Sequence, residues 1–143
     1  IKEADLIIFS MGSLYTSIFP HIISDDIRKT LDEVKTPIMY LCNIVTQPGE
    51  TDDFTVSEHV NLINNYLGKH KLDVVIASNS KISDAMALKY ANEEQKDPVK
   101  IDYPVLSKLD TEFIEADLLT IDNNTLKHHS RKLSALIFSY LMK

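Results

Sequence analysis

Short apolar runs alternate with amphipathic segments along the chain. Three runs, Asp5–Ser10, Ile38–Cys42 and Asp73–Ala77, have the length and composition of buried strands. Between and after them, apolar residues recur at the three- and four-residue intervals that place side chains on one helical face. Strands that alternate with helices form parallel β-α-β units. The pattern therefore predicts an α/β fold, with a Rossmann-like, open and mainly parallel sheet and helices on both faces.

Capping signals predict where helices begin and end. Ser24 precedes two aspartates and can cap a helix that stops before Pro37. Thr55 stands three residues before Glu58, which is a capping box, and Gly68 is the expected C′ residue of that helix. The remaining expected elements are a helical turn from Leu14 that stops before Pro20, a helix from Ser83 to about Asn92, a short strand at Val99–Asp102, a helical turn at Pro104–Leu109, a strand within Phe113–Thr120 centred on Asp117–Thr120, a turn at Asp122–Thr125, and a final amphipathic helix through Leu133 and Leu141.

Polar residues follow each of the first three predicted strands. They form the segments Ser10–Ser13, Asn43–Thr51 and Ser78–Ser80. The middle segment is longer than an ordinary connector and carries mainly uncharged hydrogen-bonding side chains around a Pro-Gly turn. Loops after parallel strands meet at one rim of a sheet, where ligands bind. The sequence thus predicts a site for a polar, phosphate-bearing small molecule, and the alternative is a long turn that packs only on itself.

Two glycines lie in these loops. Gly49 follows Pro48, and we expect a positive φ there. Gly12 and Ser13 resemble a phosphate-binding turn at a helix N-terminus, although the sequence has no P-loop lysine. An ordinary strand-to-helix turn explains the same two residues.

Metal binding and hydrolytic chemistry find little support in the sequence. Glu50, Asp52 and Asp53 could bind a divalent ion, but acidic residues just before a helix usually serve its dipole. His128 and His129 have no evident third ligand and are predicted to be surface residues. No nucleophile elbow occurs. We therefore predict neither a metal nor a catalytic residue.

Composition indicates a single globular domain over residues 1–143. The chain is 44% hydrophobic and 25% charged, with a net charge of −6 that argues against nucleic acid as a partner. No apolar run approaches the roughly 20 residues that cross a bilayer. The single cysteine, Cys42, fits a reducing cytoplasmic location and a place in the core. The chain starts at Ile1, close to its first strand, which is typical of a segment of a longer protein.

Two motifs resemble a known family. Ala4–Ser17, which reads ADLIIFSMGSLYTS, and Cys42–Asp52, which reads CNIVTQPGETD, are similar to motifs of the YvcK-type gluconeogenesis factors and the related 2-phospho-L-lactate transferases. The resemblance covers the C-terminal half of that family and implies a Rossmann-like sheet. It implies a non-catalytic regulator of central carbon use and cell shape that binds a UDP-sugar and needs no cofactor. The alternative it leaves open is a transferase that moves a phospholactyl group from a nucleotide donor.

The resemblance also implies site residues. Ser10-Met11-Gly12-Ser13 stands where the family usually has Gly-Pro-Gly-Ser. Lys127 stands where the family usually has Arg, and lysine lacks the bidentate phosphate geometry of arginine. Ser130 matches a regulatory phosphorylation position, although a hydroxyl in the first turn of a helix is also a simple cap. The alternative for Tyr90 and Lys127 is a core tyrosine and a solvated lysine. The implied ligand-binding residues are Gly12, Ser13, Thr16, Asn43, Thr46, Gln47, Asn79, Tyr90 and Lys127.

The family's N-terminal half, which carries a glycine-rich nucleotide loop, has no counterpart in this sequence. We therefore expect that half to be a partner of this domain and to complete the cleft. Without it, the domain should bind nucleotide poorly and expose apolar surface that favours self-association.

Overall fold

The computed structural model describes residues 1–143 as six strands and six α-helices, with a π-helical turn at Leu14–Ile18. The strands are β1 (Ile7–Phe9), β2 (Ile38–Leu41), β3 (Val74–Ser78), β4 (Glu112–Ala116), β5 (Leu119–Asp122) and β6 (Thr125–His128). The helices are α1 (Phe19–Ile22), α2 (Asp25–Glu33), α3 (Val56–Tyr66), α4 (Asp84–Glu94), α5 (Tyr103–Leu106) and α6 (Ser130–Leu141).

The central sheet has four parallel strands in the order β1-β2-β3-β4. Ile7 pairs with Ile38, and Met39 pairs with Val74, so the register is continuous across the sheet. Strands β5 and β6 form a separate antiparallel hairpin. This arrangement confirms the predicted α/β class and places the ends of β1, β2 and β3 on one rim.

Helices cover both faces of the sheet, as predicted. The larger core lies on the face covered by α1, α2 and α3, and α6 covers the other face. None of the helices combines the length and the hydropathy that a membrane span needs. The larger core includes Leu14, Phe19, Ile22, Leu31, Tyr40, Val60 and Ile63, and the smaller core is Met39, Leu41, Val74, Ile76, Leu118 and Leu133.

Two predicted strands are wrong. The strand centred on Asp117–Thr120 is divided, because β4 ends at Ala116 in the sheet and β5 begins at Leu119 in the hairpin. Val99–Asp102 is not a strand, because only isolated bridges occur here, one at Pro98 with Val45 and one at Lys100 with Thr55. The pairing changes from antiparallel with Val45 to parallel with Thr55 within two residues, so no continuous ladder forms.

Local signals fixed some helix ends and misjudged others. The Thr55–Glu58 capping box is present, and the Ser83 hydroxyl caps α4 by accepting from the Met86 N–H. Pro20 does not stop a helix but lies in the first turn of α1, where its missing N–H costs nothing. Ser24 is the N-cap of α2, but its side chain makes no cap hydrogen bond.

Gly68 lies at the predicted C′ position of α3, directly after the C-cap Leu67. Its φ is not positive, so it does not form a left-handed C-cap. A Cβ at this position would lie 2.3 Å from Oδ2 of Asp32. Glycine leaves room here for the Asp32 carboxylate of α2, which also accepts from the His70 N–H at 2.9 Å.

Candidate functional site

The loops after β1 and β2 are joined by one side chain. The Gly12 N–H donates to Oδ1 of Asn43 at 3.1 Å, and Nδ2 of Asn43 donates to the Gly12 carbonyl at 3.0 Å. Asn43 is buried, and these two bonds give both its side-chain carbonyl and its NH2 group a partner. The pair extends the connection between the two strands past their ends and shapes the rim.

Ser13 makes a second link between the same loops. Its hydroxyl lies 2.7 Å from each carboxylate oxygen of Glu50 and accepts from the Thr16 N–H at 3.0 Å. Ser13 is thus the N-cap of the π-helical turn. It also contacts the segment Asn43–Thr51, called the polar loop below. Thr16 itself is exposed on that turn.

The polar loop is also tied to itself, as its alternative explanation predicted. The Gln47 N–H donates to the Thr51 hydroxyl at 2.9 Å, and the Gly49 N–H donates to Oδ2 of Asp52 at 2.8 Å. Gly49 has φ +75, which confirms the predicted positive value. The buried Thr46 hydroxyl accepts from the Asp97 N–H at 3.0 Å. The conformation of the polar loop is therefore held by its own hydrogen bonds and by the contact with Asp97.

Carboxylates near the rim serve these loop contacts. Glu50 binds the Ser13 hydroxyl, and Asp52 accepts from the Gly49 N–H. Asp53, the third acidic residue, has a left-handed φ of 60. Across the structure, no three His, Cys, Asp or Glu side chains are grouped so as to hold a metal ion.

The hairpin is anchored next to the rim by Ser80. The Ser80 hydroxyl donates to Oδ1 of Asp117 at 2.6 Å and accepts from the Leu119 N–H at 2.9 Å. Lys132 binds the other oxygen of Asp117 at 2.7 Å. The Lys132 hydrogen bond, aided by the Ser80 bond, lowers the pKa of Asp117. Asn79, beside this anchor, is exposed and takes part only through its backbone.

Tyr90 and Lys127 are placed differently from a ligand clamp. The Tyr90 ring is buried under the hairpin, and its hydroxyl accepts from the Leu126 N–H at 2.8 Å. Tyr90 therefore has the core position of the alternative explanation and not the open position that a ligand-binding residue needs. Lys127 is exposed on β6 and forms an ion pair with Asp122 at 2.6 Å. The two residues meet through the hairpin backbone, because Tyr90 holds the strand that carries Lys127.

His128 is the residue that sequence reasoning missed. It is half-buried and not a surface residue, and its Nε2 lies 3.2 Å from the carbonyl of Cys42, at the end of β2. A carbonyl only accepts, so Nε2 carries the hydrogen. Burial lowers the pKa of His128, which favours the neutral ring. A prediction of β6 would have been needed to find it, since alternation along that strand turns His128 to the face opposite the exposed Lys127.

His129 and Cys42 have structural roles and not reactive ones. His129 is the N-cap of α6, and its ring accepts from the Lys132 N–H, so the predicted cap at Ser130 is wrong. Ser130 lies in the first turn, as predicted, and its side chain is exposed. Burial raises the pKa of Cys42 to about 12, which makes it a core residue and not a nucleophile.

A cleft of about 180 Å³ lies where the two loops face the hairpin. Of the predicted residues, Gly12, Asn43 and Gln47 line it, whereas Ser13, which contacts Glu50, does not. Thr16, Thr46, Asn79, Tyr90 and Lys127 do not line it. We call this cleft the rim cleft. Its complete lining is Met11, Gly12, Asn43, Ile44, Val45, Gln47, Leu126 and His128.

A larger apolar cavity, about 630 Å³, runs beside β1. β1 is an edge strand of the sheet, and Ile8 on it is 39% exposed. Met11 and Gly12 line both cavities, so this cavity is adjacent to the rim cleft.

Comparison with known proteins gives a consistent result. Residues 1–119 match the family model of 2-phospho-L-lactate transferase CofD. The chain is 34% identical over 141 residues to the gluconeogenesis factor of Bacillus subtilis, and 33% identical over 137 residues to that of Halalkalibacterium halodurans. These alignments cover 99% and 96% of the chain but 44% and 42% of the relatives. The chain thus spans less than half the length of these curated relatives.

Solved structures agree with the fold. A member of the UPF0052 family, bh3568 from Bacillus halodurans, superposes with a TM-score of 0.89 at 32% identity. The match covers 95% of this chain and 44% of that chain. Both the sheet and the family resemblance predicted from the sequence are confirmed.

Proposed function

The chain belongs to the 2-phospho-L-lactate transferase CofD family, and we propose that it provides the rim of a sugar-nucleotide site in a gluconeogenesis factor. The proposed ligand is a UDP-sugar, and the proposed role is non-catalytic regulation of central carbon metabolism and cell shape in the cytoplasm. The relatives in Bacillus subtilis and Halalkalibacterium halodurans, named gluconeogenesis factors, support the role.

The rim cleft is the observation that carries this proposal. Loops after two adjacent parallel strands converge on it, which is where α/β sheets bind ligands. Its polar groups are amides, an imidazole and backbone, and its walls are apolar. This chemistry suits an uncharged base or sugar better than it suits acid–base catalysis.

A transferase of the 2-phospho-L-lactate type is the second candidate, favoured by the description of the matching family. Such chemistry requires groups that bind metal or transfer protons close to the reacting atoms. In this chain two carboxylates that follow β2, Glu50 and Asp52, are already bound to Ser13 and to the Gly49 N–H. This engagement favours binding over transfer for the residues described.

A further polypeptide segment and Ser130 complete the proposal. The apolar cavity beside β1 is the surface on which the remaining part of a longer protein, or a second copy, would pack.

Ser130 is exposed at the start of α6, next to Arg131 and Lys132, where an added phosphate would be stabilised by the helix dipole. Intact-mass measurement from cells grown on different carbon sources tests this modification.

A thermal-shift panel and a product assay test the two candidate functions. UDP-glucose and UDP-N-acetylglucosamine should raise the melting temperature more than GDP-sugars do, and no phospholactyl product should form. Lys127→Ala should weaken UDP-sugar binding about ten-fold if its charge meets the diphosphate, and Lys127→Arg should not. Product formation with a guanosine-linked donor would establish the transferase instead.

A further inference from the structure

The rim cleft contains no charged side chain. Met11, Ile44, Val45 and Leu126 provide apolar walls, and the neutral polar groups lie between them. Its volume of about 180 Å³ corresponds to about six waters of the bulk liquid. A diphosphate would lose its hydration there without a compensating charge, so the cleft suits an uncharged ring.

Most polar groups in the cleft are already used. The Asn43 amide is satisfied by the Gly12 backbone at 3.1 and 3.0 Å. The His128 ring donates from Nε2 to the Cys42 carbonyl at 3.2 Å, so its Nδ1 is the acceptor of the neutral ring and makes no hydrogen bond to protein. The Gln47 side chain also makes none, and neither residue has an unsatisfied polar atom sealed from solvent.

Two side chains therefore remain to read a ligand: an acceptor at His128 Nδ1 and an amide at Gln47. A hexose would bring several hydroxyls to these two groups and leave most of them unpaired against apolar walls. Uracil matches better, because it is flat and its exposed edge has one N–H, at N3, between two carbonyls.

We propose that His128 and Gln47 bind the uracil of the nucleotide, with Nδ1 of His128 accepting from N3–H and the Gln47 amide donating to a neighbouring carbonyl. This assignment rests on the proposed UDP-sugar function and names the part of the ligand that the cleft recognises. Tyr90 supports it indirectly, because its hydroxyl holds the Leu126 N–H and so fixes the strand that carries His128.

The test compares UDP with N3-methyl-UDP, which lacks the only base N–H. NMR of the protein with ¹⁵N-labelled histidine should show the His128 Nδ1 signal move on addition of UDP. N3-methyl-UDP should leave that signal in place and bind about ten-fold more weakly, the effect of one lost hydrogen bond of about 1.4 kcal/mol.

Variants separate recognition from structural support. His128→Gln keeps an amide whose Nε2 can donate to the Cys42 carbonyl, and with that bond made its Oε1 acceptor points away from the position of Nδ1. It should retain the unfolding midpoint and bind UDP and N3-methyl-UDP equally weakly. His21→Gln, an exposed histidine outside the rim cleft, is the matched control and should preserve the ten-fold preference.

The outcomes are distinct. If wild-type protein binds both nucleotides equally, or binds UDP without moving the Nδ1 signal, the base assignment is wrong while the proposed function stands. If UDP produces no saturable change in any signal, the proposed function fails and the assignment with it. Should His128→Gln not fold, the comparison of the two nucleotides on wild-type protein still decides.

Discussion

The amide of Asn43 pairs with both backbone groups of Gly12, the N–H at 3.1 Å and the carbonyl at 3.0 Å. A side chain from the loop after β2 thus does what a neighbouring strand would do for the loop after β1. The spacing of the two loops is set by this pair together with the contact between Ser13 and Glu50. The rim cleft owes its shape to these contacts.

Asn43→Ala should destabilise the protein by about 1–3 kcal/mol, because two Gly12 backbone groups lose their partner in a largely buried place. Urea unfolding measures the change. Asn79→Ala is the control, since Asn79 is exposed and its side chain makes no hydrogen bond, and its effect should stay within about 0.5 kcal/mol. Equal stability of the two variants would show that the pair contributes nothing.

Gly49→Val should cost at least about 1–2 kcal/mol of stability, the penalty of a left-handed conformation for a residue with a Cβ. The penalty is purely conformational, because a Cβ at Gly49 would meet no atom within 4 Å. Gly49→Asn should be tolerated better, since Asn adopts this conformation more readily. Thermal unfolding of both variants distinguishes them, and an equal loss would contradict the backbone explanation.

Tyr90→Phe should weaken the hairpin by about 1–3 kcal/mol, because the Leu126 N–H loses its acceptor at 2.8 Å. Hydrogen exchange should show faster exchange at Leu126 while β2 and β3 remain protected. Lys127→Ala is the comparison, since the exposed ion pair with Asp122 should contribute no more than about 1 kcal/mol. Unchanged exchange at Leu126 in Tyr90→Phe would show that the hydroxyl does not anchor the hairpin.

Stability should fall as the pH drops below about 6.5. Burial lowers the pKa of both His59 and His128 from the ordinary value of 6.5. The unfolded chain then takes up protons first, so the stability is fully present above pH 6.5 and is lost as the pH falls towards the folded-state values. Urea unfolding at a series of pH values measures the slope, which should be shallower in His128→Gln. An identical slope in wild type and variant would remove His128 from the explanation.

The sequence predicted best what depends on neighbouring residues. Thr55 and Glu58 cap α3 because both partners lie within one helical turn, and the Ser83 cap of α4 is equally local. The shared rim followed from the alternation of strands and helices, which dictates parallel pairing. The positive φ of Gly49 followed from its place in a Pro-Gly turn.

Contacts between distant segments were not predictable in this way. His128 meets a carbonyl 86 positions away, and nothing in the local pattern identifies that partner. Strand β6 was missed although Asn123 and Asn124 have the paired positive φ of a tight hairpin turn, 49 and 57. The turn was predicted, but the four residues after it were too short and polar to indicate a strand.

Titration of the ¹⁵N-labelled protein with UDP-glucose, followed by NMR of the backbone amides, tests the central claim most directly. We expect saturable shifts at Gly12, Gln47 and His128, with a Kd weaker than micromolar if a further segment normally completes the cleft. Residues at the opposite end of the sheet, such as His70, should not shift. Absence of saturable shifts, or shifts confined to residues away from the rim cleft, would contradict the account.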